Sequence, residues 1–465
     1  MKRRVVVTGV GVVSPIGIGR EAFWQSLISG KCGVGFVTHF DASSYPCKFA
    51  AEVKDFKPTD LISPKAARRL SRGTQFGIVS TQKALEDAQI DLHKEDPYQV
   101  GLCFGTSLGP ADIYEKFGAT FYERGLKRVH PIFEGLMNHN AMVGGLAEIF
   151  DIRGYNLTVS TGCSSGNVAV AHAYQAVSSG IADLMIGGGV DTPIYPLNYG
   201  LYAAARCTCN NGGDPRKALC PYDKRRAGYI FGEGAGTLIF EEMEHAKRRG
   251  ARMYAEILGF GVTNDAADTN FLRPDTIGMG KAFQIALSQA SLRPEDVDYI
   301  CGHATSSVIM DKKESQAIKN VFGDHAYKLA VSSIKAAVGH SMAASNAMQS
   351  IAACLALHEG TLPPTLNYEV PDPELDLDYV PNQARIKNIQ VAMANSWGLG
   401  GTNVAVVYRK VKGLRIKNPF KDRDVWIIAD SICLIKKMKG EPTGPKIDVP
   451  TLELACSRFL NSRRG

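Results

Sequence analysis

Eight short apolar runs set the limits on what this chain can fold into: RVVVTGV (4–10), VGLCFGTS (100–107), LTVSTG (157–162), ADLMIGGGV (182–190), GTLIFEE (236–242), DYICGHA (298–304), KLAVSS (328–333) and QVAMANS (390–396). Between them lie segments such as 66–88 and 276–291, whose apolar residues recur at helical spacing. Alternation of this kind predicts an α/β fold with buried, largely parallel strands. At 465 residues the chain is too long for one simple core, so two domains or a duplicated fold are expected.

Duplication has a faint trace in the sequence. GCSSGNVAVAHAYQAVSSG (162–180) and GHSMAASNAMQSIAACLALHEG (339–360) share a preceding strand, a glycine with a reactive side chain and a serine at a turn, an alanine-rich helix, and a closing glycine. The first presents Cys163 at its start, the second His340. A duplicated fold would bring the two helix starts face to face.

A thiol at a helix mouth meets the positive end of the helix dipole and unsatisfied N–H groups. These lower its pKa and can hold an oxyanion. Locally, a buried structural cysteine and a nucleophile are both open readings. Two histidines favour the second. CGHATSS (301–307) puts His303 after an apolar strand, and SSIKAAVGHSMAAS (332–345) puts His340 at a strand-to-helix turn with Lys335 five residues earlier. NSWGLGGTN (395–403) adds a glycine-rich turn whose backbone can approach a ligand closely.

Charge is concentrated at one end. Residues 408–465 hold 14 Lys and Arg against 6 Asp and Glu, while the remaining 407 residues hold 39 against 40. A basic tail of this kind is not a nucleic-acid-binding composition for the main body. The eleven cysteines include no CxxC, which argues against zinc and suits a reducing cytoplasm. The opening MKRRVVVTGVGVVSPIG lacks a small-residue cleavage site, so Val5 to Thr8 is read as a first strand entering a glycine turn. No apolar run is long enough for a membrane span.

In order along the chain, VVVTGVGVVSPIG, FDASSYPCKFAAEVKDF, TGCSSG, YDKRRAGYIFGEGAG, GHATSS, SSIKAAVGH and NSWGLGGTN resemble the elongating β-ketoacyl-acyl carrier protein synthases of the thiolase superfamily. The likeness runs from residue 3 to about 410. It implies a thiolase-like duplicated five-layer α/β/α/β/α fold. The N-terminal half would span 1–250 and carry the nucleophile. The C-terminal half, 251–410, would carry the histidine pair, with a basic extension at 411–465.

The resemblance also implies roles. Cys163 would take an acyl chain from a carrier-protein thioester, with His303, His340 and Lys335 serving decarboxylation of a malonyl thioester. The backbone N–H groups of Cys163 and Leu399 would form an oxyanion hole. Leu108, Thr305, Ser307, Trp397 and Leu399 would line the pantetheine and substrate path. Lys65, Arg68, Arg69 and Arg206 would dock an acidic acyl carrier protein, with Arg72 near the same helical face. The enzyme itself would need no metal or organic cofactor; substrates would ride on the carrier's phosphopantetheine. A cytoplasmic homodimer without nucleic acid is implied.

Several positions depart from the family's usual residues: Gly162, Ala227, Ala304, Ser307, Gln349, Trp397 and Leu399. They point to a specialised lipid or polyketide pathway. The main alternative is a non-catalytic chain-length-determining partner in a heterodimer, which the intact Cys163, His303 and His340 disfavour. A nicotinamide oxidoreductase hinted at by GVGVVSPIG lacks the third glycine, and a cysteine peptidase would leave the second histidine unexplained. In the tail, VWIIADSICLIKK (425–437) is open to three readings: an added structural element, which is preferred, a membrane-surface contact or a partner-binding arm.

Overall fold

The computed structural model describes residues 3–58, 62–210, 212–267 and 275–411, together with the backbone of two strands at 426–428 and 431–433. The chain divides into two units, 1–412 and 413–465. In the second, Trp426–Ile428 pairs antiparallel with Ser431–Cys433. The added structural element preferred for the tail contains this pair of short strands; their side chains, and the membrane-contact and partner-arm readings, lie outside the described residues.

Ten strands of the main unit run side by side through its large sheet: β1 (Val5–Ser14), β2 (Val100–Gly105), β3 (Asn156–Val159), β4 (Leu184–Asp191), β5 (Gly234–Glu242), β6 (Ala255–Asn264), β7 (Tyr299–Cys301), β8 (Ala330–Ser332), β9 (Val391–Trp397) and β10 (Thr402–Arg409). They are hydrogen-bonded in the order β8-β7-β9-β10-β6-β1-β5-β4-β2-β3, with Gly17–Ile18 paired to the side of β1.

Outward from the β1–β6 junction, the two directions have one pattern. The path β1-β5-β4-β2-β3 is antiparallel over its first two pairings and parallel over its last two. The path β6-β10-β9-β7-β8 repeats that alternation. Cys163 follows β3 and His340 follows β8, which are equivalent positions in the two paths. The repeat glimpsed between the two alanine-rich segments is a property of the whole sheet.

Six helices complete the layers: α1 (Arg72–Ala88), α2 (Ala141–Phe150), α3 (Ser165–Ser179), α4 (Ile277–Ala290), α5 (Val308–Phe322) and α6 (Ala343–Glu359). α1 and α2 pack outside one half of the sheet, and α4 with α5 outside the other. Between the halves lie α3 and α6, packed on each other and on strands of both. Every residue of α6 from Ala343 to Leu357 is buried, as is most of α3. Alanine-rich, uncharged helices are suited to that layer because they offer apolar surface all round and little bulk.

Three expectations need correction. The sheet is mixed rather than largely parallel, because the β9–β10 connection is a four-residue turn, and so short a link permits only an antiparallel neighbour. β1 does not stop at a glycine turn. It continues to Ser14, and Gly9 and Gly11 lie inside it, where a β-carbon would meet Ala84 O at 2.4 Å and Ser80 O at 1.9 Å. Those glycines serve close strand–helix packing, which removes the last support for a dinucleotide loop.

The third correction concerns the basic segment. SPKAARRLSR is not one helix: Pro64–Ala67 ends at Arg68, and Ser71 caps a new helix from Arg72. Lys65, Arg68 and Arg69 are exposed. Arg72 instead turns inward to a two-pronged ion pair with buried Glu233, 2.7 Å at each prong. β6, which mixes glycine and polar residues with apolar ones, and β10, whose run VAVVY is as apolar as the others, are both missing from the apolar-run reading.

The starts of α3 and α6 meet at Gly166, where a β-carbon would lie 2.1 Å from Ala343 O. Overpacking at such a backbone contact costs about 1–3 kcal/mol. Gly166→Ala is therefore expected to lower the melting temperature measurably; an unchanged melting curve would mean that the helix starts do not touch.

Candidate active site

Cys163 sits in the turn between β3 and α3, two residues before the helix begins. Gly162 takes a left-handed φ of 63°, and a β-carbon there would lie 2.7 Å from Leu399 O. Glycine at 162 thus lets the 398–401 turn close over the cysteine. The backbone N–H groups of Leu399 and of Cys163 itself face the sulfur. Met342 Sδ lies 3.3 Å from Cys163 Sγ.

The expected dipole-lowered pKa is not what the site produces. Burial pushes the Cys163 thiol up to about 12, and the carboxylate of Asp191 adds to the rise. The Leu399 N–H, the Lys335 ammonium and the cysteine's own N–H pull the other way and lose. Desolvation of a thiolate outweighs a dipole whose first turn is buried under another helix.

His303 and His340 are brought together, with ring centroids 5.5 Å apart and nearly perpendicular planes. Both are held well below the usual imidazole pKa, first by burial and then by the Lys335 charge, so both are neutral. His340 Nδ1 lies 3.3 Å from Ser345 Oγ. Lys335 is fully buried; its Nζ donates to Gln349 Oε1 at 2.7 Å, and burial lowers its pKa to about 8. Gln349 Nε2 in turn faces the carbonyls of Gly302 (2.6 Å), Asn395 (3.0 Å) and Cys301 (3.1 Å). A carboxylate at this position would oppose three carbonyl oxygens, whereas the amide donates to them.

Two carboxylates from α5 fasten the His303 turn. Glu314 accepts from His303 N (2.6 Å), Ala304 N (2.9 Å), Tyr222 OH (2.8 Å) and Asn395 Nδ2. Asp311 accepts from Thr305 N (3.0 Å) and Ser307 N (3.2 Å), and burial raises its pKa to about 7. Asp191 fastens the other side, accepting from Thr106 Oγ1 and Ala343 N (2.8 Å each), Ser107 N (2.9 Å) and Leu108 N (3.1 Å). Burial lifts Asp191 to about 6.

Of the residues expected on the substrate path, Thr305 is buried and Leu108 is half-buried. Ser307 Oγ caps α5 by accepting from Met310 N at 3.3 Å. Trp397 is buried against Phe283, with ring centroids 5.7 Å apart, and Leu399 is 39% exposed at the site's mouth. Arg206 is exposed, with a left-handed φ of 57°.

Sequence reasoning missed Asp191, Asp311, Glu314 and Asn346. The Asn346 amide donates to Cys163 O and to Met342 O (3.1 Å) and bonds to His303, so it touches both the Cys163 backbone and an imidazole. Asp311 and Glu314 could have been noticed as acidic residues at i, i+3 on the apolar face of a helix. Asn346 left no such signal. Among the described residues no group of His, Cys, Asp or Glu is arranged to hold a metal ion.

Two family models match the chain. Residues 2–246 match the β-ketoacyl synthase N-terminal domain and residues 254–369 its C-terminal domain. The chain belongs to the β-ketoacyl synthase family. A 3-oxoacyl-[acyl-carrier-protein] synthase 2 of Coxiella burnetii is 41% identical over 88% of this chain and 99% of its own. A putative polyketide β-ketoacyl synthase 1 of Streptomyces halstedii is 38% identical over 88% and 98%. Among solved structures, a type II polyketide ketosynthase in complex with its acyl-carrier protein superposes with a TM-score of 0.83 at 31% identity, covering 88% of this chain and all of that one. The ishigamide ketosynthase/chain length factor gives 0.83 at 30%, with the same coverage. The duplicated thiolase-like fold of this family is the fold described above.

A thiol held up by burial reacts slowly with alkylating agents until the pH is high. Iodoacetamide labelling of Cys163, read by peptide mass, is expected to quicken about tenfold per pH unit between pH 7 and 9. A rate that levels off near pH 7 would contradict the burial effect.

Proposed function

We propose that this chain is a 3-oxoacyl-[acyl-carrier-protein] synthase that lengthens a Cys163-bound acyl chain by two carbons from a malonyl thioester. The observation that carries the reading is the pair of backbone N–H groups, from Cys163 and Leu399, that face the Cys163 sulfur, in a site where Asn346 bonds both to the Cys163 carbonyl and to the neutral imidazole of His303.

Cys163 Sγ attacks the thioester carbonyl, the bond to the carrier's sulfur breaks, and the carrier thiol leaves with the cysteine's proton. A soft nucleophile suits this exchange, which is nearly thermoneutral. Malonyl carrier then loses CO₂, and the electron pair of the broken C–C bond passes to an enolate. N–H donors from His303 and His340 stabilise the enolate oxygen, which neutral imidazoles can do without first giving up a proton. The new carbon attacks the acyl carbonyl, the two backbone N–H groups hold the oxyanion, and Sγ departs as a thiolate that takes up a proton from solvent. Lys335 acts through the histidines by keeping them neutral.

The same reading makes an acyl carrier protein the partner, docking at exposed Lys65, Arg68, Arg69 and Arg206. Thr305, Ser307, Leu108, Trp397 and Leu399 line the path of the phosphopantetheine arm and chain. No metal or organic cofactor is assigned to the enzyme. The halves are divided near residue 250 and the extension begins near 411. A cytoplasmic homodimer is part of the reading; the free edge of the sheet at β3 and the apolar side chains of Tyr122 and Leu126, 86% and 72% exposed, support pairing of two copies. The retained thiol argues against a non-catalytic partner subunit.

Intact-protein mass after mixing with a panel of acyl-carrier-protein thioesters tests the reading. The expected result is a mass gain equal to one acyl group that disappears in Cys163→Ala. No gain with any chain would overturn it in favour of the non-catalytic partner.

A further inference from the structure

Packing fixes where the ring of His340 stands without fixing where its proton sits. His340 N donates to Ile230 O at 2.8 Å, and His340 O accepts from Gly232 N at 3.1 Å, so the residue is bridged to the segment leading into β5. Tyr229 and His303 stand edge-on to the ring, with centroids 5.2 and 5.5 Å away. A neutral imidazole carries one N–H and one lone pair, and the partner of one nitrogen decides the state of the other. Nε2 has no partner among the described residues and is not one of their sealed, unanswered polar atoms, so it faces space that water or a ligand can enter. Nδ1 lies 3.3 Å from Ser345 Oγ.

Ser345 is fully buried in the first turn of α6 and has a single proton to give. Two acceptors compete for it: His340 Nδ1, and Met342 O at 2.9 Å. A serine near a helix start ordinarily gives its proton to such a carbonyl. Here the carbonyl is already full. Met342 is the N-cap of α6, so its C=O accepts the first bond of the helix, and Asn346 Nδ2 donates to it at 3.1 Å. Those two donors use both lone pairs of the carbonyl. The reverse arrangement, with the ring donating to Oγ, would press the hydroxyl proton onto that same occupied oxygen.

We propose that Ser345 is a positioning residue that fixes the tautomer of His340: its hydroxyl donates to Nδ1, so the ring hydrogen stands on Nε2. The inference rests on the synthase reading above and names the residue that prepares one of its two imidazoles. An enolate oxygen that reaches Nε2 then meets a donor already in place, and no proton has to move across the ring first.

The test joins a spectrum to a rate. In the full chain labelled with ¹⁵N-histidine, the His340 signals are assigned by their loss in His340→Gln. Nδ1 is expected as an imine-like nitrogen and Nε2 as a pyrrole-like one. CO₂ release from malonyl-carrier protein is followed in a Cys163→Ala background, where no acyl chain competes. Adding Ser345→Ala is expected to mix the two tautomers and to lower kcat about tenfold with KM little changed, the factor of one ordinary hydrogen bond. Ser345→Thr, which keeps the hydroxyl, is expected to keep the single tautomer. A wild-type ring protonated on Nδ1 would overturn the proposal, and this spectrum needs no Ser345 variant to fold. An unchanged spectrum in Ser345→Ala would overturn it too, even with a slower rate, because the serine would then be merely structural. Absence of CO₂ release in the parent protein would remove the synthase reading, while the spectrum would still decide what Ser345 does to the ring.

Discussion

The active site depends on two helix starts lying so close that there is no room for a β-carbon between them. Gly166 of α3 meets Ala343 of α6 backbone to backbone. That contact sets the distance between the turns bearing Cys163 and His340, which arrive from equivalent places in the two halves of the sheet. Asp191 reinforces it by accepting from Ala343 N at the start of α6 and from the Thr106–Leu108 turn of the first half. One buried carboxylate thereby ties the halves together near Cys163. An isolated carboxylate in this position would be very costly, and its four donors offset much of that cost.

The same closeness governs the site's electrostatics. With water excluded, desolvation is the largest influence on the titratable groups around the chemistry: it raises Cys163 and Asp191 and lowers His303, His340 and Lys335. The result is a Cys163 that rests as a thiol and two imidazoles that rest neutral. In such surroundings N–H donors aimed at a developing oxyanion act at low dielectric and need not reorganise during the reaction. Gln349 belongs to this pattern. It grips Lys335 without adding a negative charge, so the lysine's field reaches the histidines unbalanced by a carboxylate at that position.

Much of this was legible in the sequence because alternation and glycine-bounded turns are local signals. The strand runs, the two alanine-rich helices, and Cys163, His303, His340 and Lys335 all stood out for that reason. What failed was non-local. The mixed strand directions depend on which strands become neighbours, and Arg72 left the basic face because Glu233, distant in sequence, lay within reach. The lowered cysteine pKa was inferred from a helix end in isolation, whereas the real helix end is buried under a second helix. Asn346 and Asp191 act through contacts with segments remote in sequence, so no spacing rule could reveal them.

The claim that burial keeps the working imidazoles neutral is tested most directly by the pH dependence of CO₂ release from malonyl-carrier protein by Cys163→Ala, in which no acyl chain competes. The expected rate is flat across about pH 5.5 to 7, with no inflection in the ordinary range of a histidine. A titration centred near pH 6.5, the ordinary range of a solvated histidine, would contradict it.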